Sequence, residues 1–307
     1  MVRVLTNDGL QKGAINKLTS LGFEVVNNHY DKDELGVTLK DFDILVIRSA
    51  TKVTADILDQ AQGGRLKLII RAGVGIDNID VPYATQKGVV VKNTPNASSE
   101  SVAELAIGHM FALARFIAIS NCTMREGQWN KKKYEGIELG GKTLGIVGMG
   151  RIGKALAKKA EALGMRVVYN DMFGKQDELS YEFLELDELL RTSDFISLHV
   201  PYDKEKGSLI GKDQFDIMKD GVYLINCARG KVVEEAALLE ALDSGKVAGA
   251  GIDVFEEEPT KNEALVNHPK VSVTPHIGAA TKEAQERIGE EVVTTISDFV
   301  ANNLVTI

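Results

Sequence analysis

The sequence predicts an α/β protein built from two doubly wound parallel-sheet units, and three observations carry that expectation. Short runs rich in Val, Ile and Leu alternate with amphipathic segments along most of the 307 residues, the pattern of a parallel sheet covered by helices. That length is generous for one unit and natural for two. The alternation also restarts: one series ends near "VVVKNTP", and a second opens at Lys142 after a long helix and an irregular stretch.

In order, "VRVLTND" is a first strand and "LQKGAINKLTSLG" its helix. The segments "FEVVNN", "DILVIRS", "TADILDQA", "LKLIIRAG", "VPYATQKG" and "VVVKNTP" then complete one doubly wound set. A long helix is expected from about Ser98 to Phe116, with Ser101 and Glu104 at capping-box spacing. A polar, irregular stretch, "MREGQWNKKKYEGIELGG", follows it. The second set runs through "KTLGIVG", the helix "RIGKALAKKAEALG", "MRVVYND", "DFISLHV", "VYLINCA", "VAGAGIDV" and "VSVTPH". The helix "KEAQERIGEEVVTTISDFV" comes after that set is finished and is expected to return to the first unit. The expected domains are thus 1–96 with 280–307, and 97–279, with an active-site cleft between them.

Composition narrows the function classes. Apolar residues are 44% and charged residues 26% of the chain, and the net charge is −8, which speaks against general affinity for nucleic acid or membrane surfaces. The apolar segment "AELAIGHMFALARFIAI" is interrupted by Glu104, His109 and Arg115 and reads as a buried helix. Cys122 and Cys227 have no metal-ligand or redox spacing, so no metal is expected. No secretory leader pattern opens the sequence, and a cytoplasmic location is expected.

The strongest local signal is Gly148-x-Gly150-x-x-Gly153, set between an apolar strand and an alanine-rich helix. A second strand then ends in Asp171, eighteen residues beyond Gly153. Alone the glycine spacing is weak; with this context it is a dinucleotide fingerprint. Gly148 permits the tight turn, Gly150 lets the backbone approach a pyrophosphate, and Gly153 allows close helix–strand packing. Asp171 would accept hydrogen bonds from ribose hydroxyls and repel a 2′-phosphate, so NAD is expected as the cofactor. No arginine follows it closely.

Ligands of open α/β sheets sit beyond the carboxyl ends of strands. Polar groups at those ends are Arg48, Arg71, Asn93, Arg229, Asp253 and His276. Arginine suits a substrate carboxylate, and histidine suits a proton that must be held or released near neutrality. A glutamate on the far ring nitrogen would stabilise the imidazolium. Glu256, Glu257 and Glu258 all qualify by position, and spacing does not choose among them. His276 taken alone reads better as a satisfied strand-end residue. His109 reads as core, and His199 as either packing or groove lining.

"RAGVGIDNID", "GIVGMGRIG", "INCARG", "GIDVFEEEP" and "TPHIGAAT" resemble the successive signatures of the D-isomer-specific 2-hydroxyacid dehydrogenases. The likeness covers practically the whole chain. It implies two Rossmann-like domains, NAD, and a dimer formed mainly through the cofactor domains. It implies Arg229, Glu258 and His276 as the catalytic arginine, glutamate and histidine. It places Arg151 and Ile152 at the cofactor phosphates, Asp171 at the adenosine ribose, and Val200, Cys227, Ala228, Asp253, Gly278 and Ala279 elsewhere along the cofactor. Arg48, Arg71 and the backbone at Val74 and Gly75 resemble substrate-anion contacts. Within the family, "VIRSATKVTAD", "NTPNASSESVAEL" and "TKEAQER" are most similar to the branch acting on a phosphorylated 2-hydroxy acid.

Three departures stand out. Met172 replaces the proline usual after the acidic residue. Lys131 occupies a place where an arginine often reaches a neighbouring subunit's substrate, and a lysine there meets a phosphate as a point charge. The sequence ends at Ile307, and feedback through a C-terminal regulatory domain is not expected. Two other readings stand beside the phosphorylated substrate: a glyoxylate or hydroxypyruvate reductase of the same family, and an NAD-sensing binding protein like the corepressors that share the fold.

Overall fold

The computed structural model describes residues 1–303. The chain divides into two compact units, one of Met1–Ser98 together with the segment from Ala279 onward, the other of Ser99–Gly278.

The first unit holds strands β1 (Arg3–Thr6), β2 (Glu24–Val26), β3 (Ile44–Ile47), β4 (Leu68–Arg71) and β5 (Val90–Asn93). They pair in parallel in the order β2-β1-β3-β4-β5. Successive side chains of a strand point to opposite faces, and in the central strands β1, β3 and β4 both faces are buried. Val4, Ile44, Val46, Leu68 and Ile70 enter one core cluster; Leu5, Leu45, Ile47 and Ile69 enter the other. This two-sided burial is why the strands read as unbroken apolar runs. Helices α1 (Lys12–Ser20) and the last helix, α12 (Lys282–Asn303), cover the first face, the latter through Ile288, Val292 and Ile296. Helices α2 (Lys32–Thr38), α3 (Ala55–Gln60) and α4 (Val81–Gln86) cover the second.

The second unit has seven parallel strands in the order β12-β11-β10-β9-β6-β7-β8. They are β6 (Thr143–Val147), β7 (Arg166–Asn170), β8 (Glu182–Phe183), β9 (Phe195–Leu198), β10 (Val222–Asn226), β11 (Val247–Ile252) and β12 (Val271–Val273). Helices α5 (Ser99–Ala114), α6 (Ile117–Arg125) and α7 (Arg151–Ala162) precede helices α8 (Leu186–Thr192), α9 (Lys212–Ile217), α10 (Glu235–Asp243) and α11 (Glu263–Val266). Leu144, Ile146 and Ile225 pack on the α5 and α7 side, while Val147, Leu224 and Ile252 pack on the α8 and α10 side.

Two local expectations change, and one short strand went unread. The long helix begins at Ser99, so Ser101 lies inside its first turn, buried, and does not cap it with Glu104. It also stops at Ala114, because Phe116 takes a left-handed backbone (φ 54°) and α6 restarts at Ile117 after a bend of 63°. The edge strand β8, two residues long, gave no run that periodicity could register. Among the described residues no single helix is long and apolar enough to cross a membrane.

Candidate active site

Two constructions stand at the carboxyl ends of the second unit's strands. The first follows β6. Gly148 has φ +96°, and a Cβ there would lie 2.5 Å from the His199 carbonyl oxygen. A Cβ on Gly153 would lie 2.3 Å from the Gly148 oxygen, so the turn closes only on glycine. Gly150 is different: nothing stands within 4 Å of where its Cβ would be, and it opens α7 directly ahead of Arg151. The first backbone N–H groups of that helix are the usual donors for phosphate oxygens.

Asp171, just past β7, accepts from Met149 N at 2.8 Å and Phe173 N at 3.0 Å through separate oxygens. Each oxygen keeps a second lone pair for a ribose hydroxyl. Val200 packs against Gly148, its Cγ1 2.9 Å from the Cβ position, and Ile152 joins the apolar cluster beneath α7. His199 Nε2 meets Ser197 Oγ at 2.9 Å, while its buried Nδ1 has no hydrogen-bond partner among the described residues. Burial lowers the His199 pKa to about 4. The open space at Gly150, the helix terminus and the acidic strand end together fit a dinucleotide.

The second construction joins the loops after β10, β11 and β12. Asn226, the last residue of β10, donates through Nδ2 to the Arg229 carbonyl at 2.9 Å and accepts from Ala228 N at 3.1 Å. That turn lies flat on the next loop, since a Cβ on Gly230 would fall 1.9 Å from Phe255 backbone atoms. The Arg229 guanidinium donates to the Ala228 carbonyl at 2.6 Å, and its charge reaches Glu258. Cys227 is buried, and burial together with Asp253 pushes its thiol pKa up, which makes it a packing residue and not a nucleophile.

His276 Nδ1 lies 2.6 Å from Glu258 Oε2. An ionised carboxylate only accepts, so Nδ1 carries the proton and the lone pair of the neutral ring is on Nε2. Burial works against the Glu258 charge. The His276 hydrogen bond and charge, the Phe255 N–H and Arg229 outweigh it and hold the carboxyl below its ordinary value. The three adjacent glutamates therefore part company: Glu256 exchanges hydrogen bonds with Glu235 and its backbone, Glu257 pairs with exposed Lys261, and Glu258 alone meets the histidine.

Asp253 fixes the loop that carries His276. It is 1% exposed, and its carboxylate accepts from Thr274 Oγ1 (2.6 Å), Ile277 N (2.8 Å) and Gly278 N (2.9 Å). Its carbonyl accepts from His276 N at 2.8 Å. Held on both sides, His276 keeps a left-handed φ of 53°, a conformation uncommon for non-glycine residues. Asn226 and Thr274 escaped the sequence reading; the one signal for Asn226 was a polar side chain closing an apolar strand.

Of the other expected residues, Lys131 belongs to the second unit and Arg48, Arg71, Val74, Gly75 and Ala279 to the first. Lys131 opens an exposed single turn and, among the described residues, makes no hydrogen bond or ion pair with Arg229, Glu258 or His276. In the first unit, Arg71 ends β4 opposite Ile47, so Arg48 follows on the neighbouring strand. Arg48 also borders an open depression of about 400 Å³ with Gln11, Ala280, Thr281, Lys282, Gln285 and Glu286. Val74 is exposed and its carbonyl accepts from Asn93, with Gly75 next to it, and the Ala279 carbonyl accepts from Gln285.

A glycine turn feeding a helix, with a histidine–carboxylate pair and an arginine in the same unit, defines a nicotinamide-dinucleotide oxidoreductase architecture. The family model for the NAD-binding domain of D-isomer specific 2-hydroxyacid dehydrogenases matches residues 107–278. The chain is 49% identical to a hydroxypyruvate reductase of Thermotoga maritima, over 96% of this chain and 97% of that one. It is 44% identical to a D-3-phosphoglycerate dehydrogenase of Methanocaldococcus jannaschii, over 99% of this chain but 58% of that protein's length. The crystal structure of D-lactate dehydrogenase from Aquifex aeolicus, complexed with NAD and lactic acid, superposes with a TM-score of 0.85 at 34% identity, covering 98% and 96% of the two chains. The chain belongs to the D-isomer specific 2-hydroxyacid dehydrogenase family, and its cofactor is NAD.

Proposed function

We propose that the chain interconverts D-3-phosphoglycerate and 3-phosphohydroxypyruvate, with His276 holding the proton. The observation that carries the chemistry is the Nδ1–H bond from His276 to Glu258, which leaves the Nε2 lone pair as the base. In oxidation Nε2 takes the C2 hydroxyl proton while the C2–H bond breaks and the carbonyl forms. Bound NAD supplies the acceptor for the departing hydride. Glu258 stabilises the imidazolium that results, and Arg229 binds the substrate carboxylate through its planar fork. In reduction the protonated ring returns its proton to the new alkoxide oxygen.

A phosphorylated substrate is supported by two arginines at the ends of adjacent strands, Arg48 and Arg71, and by the likeness to phosphoglycerate dehydrogenases. The second reading, reduction of hydroxypyruvate, is supported by the Thermotoga relative, which this chain matches along nearly its whole length. Steady-state NADH oxidation with 3-phosphohydroxypyruvate, hydroxypyruvate and glyoxylate tests both. The first reading expects kcat/KM for the phosphorylated keto acid to lead by about ten-fold or more, the worth of one charge-assisted contact. A lead for hydroxypyruvate transfers the assignment to the second reading, and no turnover of any of the three removes both. A homodimer is supported by Ile117, Met124 and Trp129, which are 53%, 51% and 77% exposed on and just after α6. Sedimentation of Trp129→Glu beside the parent chain tests it.

A further inference from the structure

His109 lies on α5, 3% exposed, and its sequence neighbourhood gives it no reason to be more than filler. Its ring is nevertheless bonded at both nitrogens: Nδ1 to Ser272 Oγ at 2.9 Å and Nε2 to Thr274 Oγ1 at 3.1 Å. The direction of these bonds is determined from the far end. The Asp253 carboxylate can only accept, so the single hydroxyl proton of Thr274 points to it across 2.6 Å. Thr274 Oγ1 must then accept from His109, and Nε2 carries the ring proton. Burial lowers the His109 pKa, against the smaller opposing pull of Asp253, so the ring is neutral and Nδ1 accepts from Ser272. The chain Ser272→His109→Thr274→Asp253 runs one way, every proton directed toward the carboxylate.

The packing is built around this ring. A Cβ on Gly251 of β11 would lie 2.6 Å from His109 Cβ and 2.9 Å from Cγ, so the glycine is the seat on which the imidazole rests. A Cβ on Gly278 would meet Asp253 Oδ2 and Val102 of the same helix, each at 3.2 Å. Helix α5 is thereby keyed to β11, to β12 and to the turn that carries His276.

We propose that His109 is a positioning residue for His276: through Thr274 it orients Asp253, which pins the Ile277 and Gly278 N–H groups and so sets the His276 ring against Glu258. The proposal rests on the reading of His276 as the proton carrier, and it concerns a different measurement. Without the His109 N–H behind it the Thr274 hydroxyl can turn away, Asp253 Oδ1 then keeps only the Ile277 N–H, and the left-handed turn at His276 is held less tightly. The ring then samples orientations in which Nδ1 no longer meets Glu258.

The experiment uses the full chain with ¹⁵N-labelled histidine, free of NAD and substrate. Long-range imidazole correlation spectra report the His276 tautomer and the shared Nδ1 proton, assigned with His276→Asn. In His109→Leu the Nδ1–H tautomer signal is expected to lose definition and the downfield proton to broaden or vanish. In turnover assays kcat is expected to fall about ten-fold, the scale of one lost hydrogen bond, with the Kd for NADH and KM within two-fold. His109→Gln, which can still donate and accept, is expected to restore most of the signal. Added to Thr274→Val, which cuts the chain one link later, His109→Leu is expected to cause no further loss.

Unchanged His276 signals in a folded His109→Leu chain overturn the proposal, as does full additivity with Thr274→Val. Should His109→Leu fail to fold, Thr274→Val and His109→Gln carry the test: His276 signals unmoved by Thr274→Val overturn the proposal equally. Because the spectra need no turnover, they separate this proposal from the reading beneath it. If His276→Ala retains activity, the proton-carrier reading fails, while the ring signals still decide whether His109 positions that side chain.

Discussion

The turn after β6 and the turn after β12 stand at ends of the same sheet, yet they are made differently. The first is backbone geometry: Gly148 and Gly153 sit where any side chain would strike a carbonyl, and α7 begins at once. The second is side-chain chemistry: a buried carboxylate, Asp253, gathers a hydroxyl and two N–H groups and holds a histidine in a backbone conformation it would not choose alone. A turn made of glycines fails by steric collision. A turn made of hydrogen bonds fails by losing register while the fold survives.

The contrast can be broken by substitution. The largest expected effect is His276→Ala, with turnover down about a hundred- to ten-thousand-fold, the range for lost acid–base catalysis. NADH binding, followed by fluorescence, should stay within two-fold. Weakened binding of equal size would mean the two turns are one cooperative unit. Next is Gly148→Ala, which forces a methyl toward the His199 carbonyl in a left-handed conformation. Roughly 3 kcal/mol of stability should be lost, together with NADH affinity, and a neutral result in thermal melts would discard the steric account.

A comparable but pH-gated effect is expected at His199. Its folded pKa of about 4 is below the unfolded value near 6.5, so the unfolded chain binds the extra proton. The stability is intact above pH 6.5 and is lost as pH falls toward 4, by roughly 3 kcal/mol over that interval. Urea titrations at several pH values should show a shallower acid loss in His199→Asn than in the parent chain. The smallest expected effect is Asp171→Asn, which removes the charge that opposes a 2′-phosphate. The NADH-over-NADPH preference should fall by about ten-fold, and an unchanged ratio of Kd values would place the discrimination elsewhere.

The same contrast explains what could be read from the residues in advance. The parallel strands were legible because burial on both faces leaves apolar runs such as "ILVI" and "LIIR". The glycine turn was legible because its parts are contiguous, from Gly148 through Asp171. Arg229 and His276 could be placed at strand ends by position, but their roles and the choice of Glu258 came only from family likeness; position alone left three glutamates equivalent, until Glu235 and Lys261 took two of them. Of the support beneath His276 only Asp253 was legible, as a carboxylate closing an apolar strand. His109, Asp253, Ser272 and Thr274 are brought together by tertiary packing, and a histidine among apolar helix residues looks the same whether or not its nitrogens find partners. The break at Phe116 was also hidden, since no proline or glycine marks it.

One feature of the first unit bears on how the molecule is made. Val4, Ile44 and Leu68 share a sheet face that is completed by Ile288, Val292 and Ile296 of α12, so this core joins segments from either side of the second unit. On the ribosome Met1–Ser98 must wait, one flank of their sheet covered only by α1, until translation has passed the whole of the second unit. The uninterrupted segment Ser99–Gly278 needs no such delay, and the nucleotide-binding half can mature first. A circularly permuted gene that joins α12 directly to β1 would remove the wait, and nascent-chain proteolysis would show the first half becoming resistant earlier.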